Sequence, residues 1–513
     1  MNRRQFLQNF SAITLPVGLG LPGFSGFWGP RLMQMETDRV LIIIQLIGGC
    51  DGLNAFIPID QYGALQAVRS NILPDEKAFL KAGDKNGFHP SLTGFHSLFE
   101  KNRMTVVQNV GYPFQNRSHF RSTDIWNTAS QSNEYLDTGW VGRYVDQMAS
   151  GEPVEYPWAV SLGRTVSETC QGLATNHGVS LKDPTQINEL PYGEAYDWGD
   201  GAFAKNMNFI HSTIKANNVY GALFEEKYNA GKSMSDKYPA NNPLAEQLRT
   251  IATLMAGGLQ SPVYTVSLGG FDTHAGQVNG GNPLEGTFPG LLQTLGDALE
   301  AFWDDLALLG LEDRVLAMTY SEFGRKIRSN ASFGTDHGDA APMFLFGSCL
   351  QNSIIGTNPV IDPEVSPKDG VPYEIDFRNI YGSILSDWFA VPASDLPTLL
   401  PDHAPEHVDL LRPGCGVRSA KEPGVRSKDF FEVDVYPNPA SGELLIRLDG
   451  IESKEVNAQL INLQGSQIKK WTLYGSGSKS IEKSVDISSV PAGAYVLRVH
   501  QAISTQSKKV IVQ

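Results

Sequence analysis

Five side chains of the kind that bind cations, Asp51, Asp272, His274, Glu322 and His337, stand in three short glycine-bearing segments that each follow an apolar run. The segments read Gly48-Gly49-Cys50-Asp51, Gly269-Gly270-Phe271-Asp272-Thr273-His274, and Ser321-Glu322-Phe323-Gly324, the last followed by Gly334-Thr335-Asp336-His337. Carboxylates and imidazoles together form a mixed oxygen and nitrogen shell suited to one or two divalent cations, Zn, Mg, Mn or Ca. If the segments converge, the chemistry they favour is metal-dependent hydrolysis. Each residue also has a plainer role open to it. Asp51 could cap the helix that follows, and Asp272 could pair with a buried His274. Asp336 could ligate or could orient His337 through its second nitrogen, and Arg325 could clamp an anionic ester or pair with Glu322.

Positioning these side chains requires strands that end together. Apolar runs at Val40 to Ile47, Met104 to Val110, Val263 to Leu268, Val315 to Tyr320 and Met343 to Phe346 read as strands. Between them, apolar residues recur at three- and four-residue spacing over Leu244 to Leu259, Leu291 to Leu309 and Asn379 to Phe389, which predicts helices. Alternation of this kind predicts an α/β fold, a central mostly parallel sheet flanked by helices. In such sheets ligands bind beyond the carboxyl ends of the strands, where all the acidic segments lie.

The 513 residues allow one large domain and a smaller one, and the formal net charge of −14 argues against nucleic acid as a partner, because phosphate binding draws on a basic surface. Four cysteines, Cys50, Cys170, Cys349 and Cys415, are too widely spaced for a zinc knuckle or a Cys-x-x-Cys redox pair, which leaves buried thiols or one or two disulfides. Cys50 reads as a packed small apolar residue. Residues 1–30 begin Met1-Asn2-Arg3-Arg4-Gln5-Phe6-Leu7 and continue uncharged, which resembles a twin-arginine export signal.

Residues 416–430 read as a linker, and 431–513 alternate apolar and polar residues between turns, which predicts a small antiparallel β-sandwich. Val435-Tyr-Pro-Asn-Pro-Ala-Ser-Gly, Pro491-Ala-Gly-Ala-Tyr-Val-Leu-Arg-Val and Lys508-Lys-Val-Ile-Val closely resemble the C-terminal sorting domain of type IX secretion cargo. That resemblance implies the type IX machinery as a partner, passage through the periplasm, and a final place on the outer-membrane surface or outside the cell.

Residues 37–415 resemble the bacterial DUF1501 family, whose members look like divergent relatives of the alkaline phosphatase and sulfatase superfamily. The likeness rests on Gly48-Gly-Cys-Asp-Gly-Leu-Asn, Arg117-Ser-His-Phe-Arg-Ser, Gly269-Gly-Phe-Asp-Thr-His, Ser321-Glu-Phe-Gly-Arg and Thr335-Asp-His-Gly. It implies an alkaline-phosphatase-like sheet, Asp51 and Glu322 serving one metal, and Asp272, His274 and His337 serving another. It also implies a nucleophile after the strand at Met104 to Val110. Ser118 fits, ahead of a helix expected over Ser122 to Ala129, with His119 and Arg121 beside it to bind substrate oxygens. Ser118 or Ser122 could equally serve as a helix cap. Two departures stand out: Phe323 occupies the place of an imidazole ligand, and Asp272-Thr-His274 is tighter than the familiar Asp-x-x-x-His. The absence of a Cys-x-Pro-x-Arg segment argues against a formylglycine sulfatase. The implied activity is hydrolysis of a phosphate or sulfate ester, with a glycan as one form of substrate; the alternative is a non-catalytic surface protein that binds a metal or a glycan.

Overall fold

The computed structural model describes residues 38–148, 156–173, 176–185, 218, 220–280, 282–351, 353–413, 415, 432–449, 455–462, 467–474, 480–501 and 504–513. The expected export signal and linker lie outside the described residues. The chain divides into two compact units, Met1–Val417 and Arg418–Gln513.

The strands of the first unit's sheet are β1 (Val40–Ile47), β2 (Met104–Gly111), β3 (Ala159–Leu162), β4 (Gly178–Leu181), β5 (Val263–Gly269), β6 (Val315–Tyr320), β7 (Ala341–Phe346), β8 (Ile354–Ile355) and β9 (Ile375–Asp376). Their order is β8-β2-β7-β6-β1-β5-β3-β4, with β9 also on β2. β1 lies between β5 and β6 and is parallel to both, so the three strands end side by side. The exception to the parallel pattern is β7, antiparallel to β2 and β6. A parallel return needs a crossover, usually a helix. Residues 321–340 form no helix and turn straight back, and this loop carries Glu322, Arg325, Asp336 and His337.

Helices cover both faces. Of these, α1 (Thr93–Glu100), α2 (His119–Thr128), α3 (Trp140–Met148), α4 (Pro243–Ala256), α5 (Thr287–Leu308) and α6 (Phe377–Ser383) pack on the sheet. Ile42, Ile44 and Leu46 of β1 join Phe95, Leu248, Leu295 and Phe302 in one core. Leu41 and Ile43 face the other way, into a core with Ile125, Trp126, Trp140, Tyr144 and Tyr381. Strand side chains alternate faces, so a strand buried on both sides must be apolar throughout, which is what VLIIIQLI nearly is. α6 begins ahead of Asn379 because the Asp376 side chain accepts from Arg378 N and caps it, and a π-helical turn, Ile384–Trp388, continues it. Cys349 and Cys415 form a disulfide, while Cys50 and Cys170 are buried free thiols. Among the described residues no helix is long and apolar enough to cross a membrane.

The second unit contains β10 (Glu432–Tyr436), β11 (Glu443–Asp449), β12 (Glu455–Asn462), β13 (Gln467–Tyr474), β14 (Ser480–Asp486), β15 (Gly493–Gln501) and β16 (Ser504–Val512). They form antiparallel sheets β10-β11-β14 and β13-β12-β15-β16. Leu444, Ile446 and Leu448 of one sheet share a core with Val456, Leu460, Leu497 and Val499 of the other, which makes a β-sandwich.

Where α1 crosses α5, a β-carbon added at Gly94 would lie 2.2 Å from the Gly296 carbonyl oxygen. Gly94→Ala is expected to cost about 1–3 kcal/mol, read as a lower urea midpoint with an unchanged slope.

Candidate metal centre

The ends of β1 and β5 and the loop after β6 meet because Gly48 allows it. Its φ is +124°, a region that favours glycine, and a β-carbon there would lie 2.2 Å from Asp272 N. Into this junction Arg325 buries its guanidinium. Nε donates to Gly49 O at 2.7 Å, Nη1 to Thr335 O at 2.8 Å, and Nη2 to Gly48 O, to Phe271 O at 2.9 Å and to Asp272 Oδ1 at 2.8 Å. The expectation of an ester clamp therefore needs correcting. At 1% exposure, Arg325 is spent on holding the loops, and its carboxylate partner is Asp272 instead of Glu322.

Three imidazoles surround Asp272. His119 Nδ1 lies 2.7 Å from Glu322 Oε1, His274 Nδ1 3.0 Å from Asp336 Oδ1, and His337 Nδ1 2.8 Å from the Arg117 carbonyl oxygen. Ionised carboxylates and a carbonyl only accept, so these partners assign the proton to Nδ1 and leave each neutral ring's lone pair on Nε2. The Nε2 atoms then face the carboxylate, at 3.5 Å from Oδ2 for His119 and 3.2 Å from Oδ1 for both His274 and His337. His274 Nε2 and His337 Nε2 are 2.9 Å apart. Lone pairs facing one another and a carboxylate repel unless a positive charge sits between them. Donors about 2.1 Å from one tetrahedral ion stand about 3.4 Å apart, and the contacts to Asp272 and between His274 and His337 run from 2.9 to 3.5 Å. Donor atoms of His119, Asp272 and His337 all lie within 4.8 Å of one another. The donor set fits a divalent cation, with the partners behind each ring fixing its orientation.

Electrostatics agree. Burial pushes the Asp272 carboxyl up, but the hydrogen bond from Arg325 and the Arg325 charge, with the neighbouring imidazoles, outweigh it, so it stays below its ordinary value. Burial also holds His337 below the usual histidine range, despite the Arg117 carbonyl and Asp272, which favours the neutral, ligating ring.

The structure regroups the expected residues. His119, read from sequence as a substrate binder, stands among the ligand candidates: α2 starts at His119 instead of Ser122, because Ser122 N reaches Ser118 O at 2.9 Å. Ser122 is buried and donates to the Glu322 carbonyl. Glu322 stands behind the cluster, fully buried, with Oε1 accepting from Gly48 N at 2.8 Å as well as from His119. Asp336 serves His274, not the adjacent His337. Phe323 packs against the rings of His119 and His337 at 5.0 and 4.4 Å. Arg121 is likewise committed elsewhere, to Asp124 and to the carbonyls of Gln131 and Glu134. Ser118 is exposed at the N-cap of α2, and its side chain makes no capping bond. Its neighbour Arg117, whose carbonyl holds His337, is itself clamped by Asp339 at 2.9 and 2.6 Å.

Asp51 does not join the cluster. Both its oxygens accept from Arg69 Nη1, at 2.9 and 3.1 Å, and Oδ2 also accepts from Gln277 at 2.6 Å. The cation it needs is Arg69, which the sequence reading missed; only an arginine 18 positions away could have hinted at it. Arg69→Met leaves a buried carboxylate without a charge partner and should cost about 3–5 kcal/mol by urea denaturation, most of it regained when Asp51→Leu is added. Near this pair, His89 is buried and accepts from Ser91 N through Nδ1 at 3.1 Å. Burial lowers its pKa to about 4. The unfolded chain takes up a proton near pH ~6.5 that the folded chain refuses, so this stability is complete above that pH and drains away as pH falls toward 4. Denaturation midpoints across this window should show the loss, and His89→Asn should flatten it.

No curated protein matches the chain. Distant likenesses exist among solved structures, and three of them are each 10% identical. A structure from work on the metabolism of multiple glycosaminoglycans by Bacteroides thetaiotaomicron aligns with a TM-score of 0.35 over 85% of this chain and 90% of that one. A protein in the alkaline phosphatase superfamily from Vibrio parahaemolyticus gives 0.29 over 90% and 87%. A phosphonate monoester hydrolase from Silicibacter pomeroyi gives 0.30 over 86% and 90%. At scores this low they bear on neither activity nor substrate. Sequence families are decisive where structures are not: residues 434–513 match the secretion system C-terminal sorting domain, and residues 57–369, the span that holds His119, Asp272, His274, Glu322 and His337, match the family described as protein of unknown function, DUF1501. The chain belongs to the DUF1501 family and carries a C-terminal sorting domain.

Proposed function

We propose that this is an exported hydrolase of an anionic ester, phosphate or sulfate, with one divalent cation on His119, Asp272 and His337, with His274 beside them, and with Ser118 as the attacking group. The observation that carries this is the convergence of three Nε2 atoms on the Asp272 carboxylate, each ring fixed from behind. A bound cation would polarise the ester and lower the pKa of a nearby hydroxyl. Ser118 supports the reading as an exposed hydroxyl on the turn whose preceding carbonyl holds His337. The first amides of α2, beyond Ser118, have no helical acceptor, and the positive end of the helix dipole favours an anion there. Ser118 Oγ would bond to phosphorus or sulfur as the bond to the alcohol breaks, and water would then cleave the seryl ester and free the inorganic anion.

Residues 37–415 form the catalytic domain in this reading, 416–430 the linker, and 1–30 an export signal of twin-arginine type. The sorting domain supports delivery through the type IX machinery to the cell surface or beyond. A second reading, a surface protein that binds one cation and a ligand such as a glycan without turnover, draws on specific observations. Asp51 is already neutralised by Arg69, Arg121 and Arg325 are committed to protein carbonyls, and Phe323 fills the space beside two imidazoles.

Purified protein should carry about one equivalent of a divalent metal, lost in the Asp272→Ala, His274→Ala double variant. Ser118→Ala should keep the metal and lose turnover of aryl phosphates or sulfates by a factor on the order of 10³. Metal without turnover on either ester class would favour the binding reading; a metal-free wild type would remove both.

A further inference from the structure

The first unit exposes its large aromatic side chains in one kind of place. Among the described residues they are Phe114 and Phe120 at 91%, Tyr135 at 77%, Tyr373 at 42% and Phe333 at 38%. Every one sits in or against residues 111–121, which lead through Ser118 and His119, or in the loop 321–340. Phe114 and Phe120 lie on either side of Ser118. The Tyr135 ring covers the Arg121 guanidinium, one residue past Phe120, at 4.0 Å. Tyr373 packs where a β-carbon on Gly111 would also meet Gln115, next to Phe114. Phe333 precedes Gly334, whose α-carbon lies so close to the His274 carbonyl that a β-carbon would be 2.3 Å from it.

A second observation is independent of exposure. Among the described residues eight non-glycine residues have positive φ, and the bulky ones are Phe114 at +55° and Phe333 at +54°. A bulky side chain in the left-handed region is strained, and such strain persists where function holds it. Two phenylalanines are thus kept in costly backbone conformations, Phe114 with its ring almost wholly in water and Phe333 with its ring partly exposed, against the ordinary gain from burying them.

We infer that these rings form a subsite for an apolar group on the substrate, alkyl or aryl, joined to the anionic ester that the metal cluster receives. This rests on the hydrolase reading above and names the substrate class: an amphiphilic ester whose charged head meets the cation and whose organic part lies on the aromatic rim. The three phenylalanines lack any polar tip, which favours a hydrocarbon over a sugar as the group recognised.

The test is calorimetric binding of methylphosphonate, octylphosphonate, phenylphosphonate and a hexose phosphate to the full, zinc-loaded chain, beside a Phe114→Ser, Phe120→Ser variant. Both rings are exposed, so the variant should fold with an unchanged melting temperature. Octyl- or phenylphosphonate should bind at least about tenfold more tightly than methylphosphonate, and the variant should lose that gain while binding methylphosphonate as before. A gain for octyl alone marks an alkyl ester, and for phenyl alone an aryl ester. Equal affinity for all the phosphonates, a gain that survives in the variant, or a gain for the hexose phosphate alone would overturn the subsite and leave the hydrolase reading standing. Failure of every ligand to bind would overturn both.

Discussion

One buried guanidinium holds the candidate site together. Arg325 gives all its hydrogen bonds to groups from three separate stretches of chain: the carbonyls of Gly48 and Gly49 after β1, the Phe271 carbonyl and Asp272 carboxylate after β5, and the Thr335 carbonyl in the loop before β7. Backbone carbonyls at strand ends have no sheet partner and, once buried, need donors. A planar group with five fixed N–H donors can serve several at once, which a lysine could not. The same contacts set one Asp272 oxygen, and so fix where the imidazoles can converge.

Around that hub the charges fall into two kinds of arrangement. Asp51 has its cation built in, since Arg69 satisfies both oxygens and Gln277 adds a further bond, so the pair is closed and structural. Asp272, half exposed, is open: three ring nitrogens face it without an intervening donor other than Arg325 and any proton or ion that arrives. The difference between two carboxylates after neighbouring parallel strands comes down to what lies beside each. One meets a buried arginine from a helix, the other a set of imidazoles at the surface.

The strands were readable because a sheet buried on both faces demands uninterrupted apolar runs, and VLIIIQLI and VLAMTY have no other economical place. The antiparallel turn of β7 was not readable from apolarity, since a buried strand has the same composition in either direction. The start of α2 is not legible in the sequence, because Ser118 and Ser122 are equally good caps and lie one turn apart. Only the Ser122 amide reaching the Ser118 carbonyl, and the buried hydroxyl of Ser122 bonding the Glu322 carbonyl, separate them. That shift sets the His119 ring beside Asp272 and Glu322.

The sequence by itself determined which residue types gather at the strand ends, that the chain is an α/β unit followed by a β-sandwich, and that its tail matches a sorting domain. Those properties follow from local patterning and composition, which are written along the chain. Tertiary structure decided the division of labour: that Arg69 neutralises Asp51, that Glu322 and Asp336 stand behind His119 and His274, and that Arg325 binds carbonyls in place of an ester. Each of these is a pairing between groups far apart in the chain and a few ångströms apart in space. Whether a buried charge is paired, and with what, depends on distances that no spacing in the sequence records.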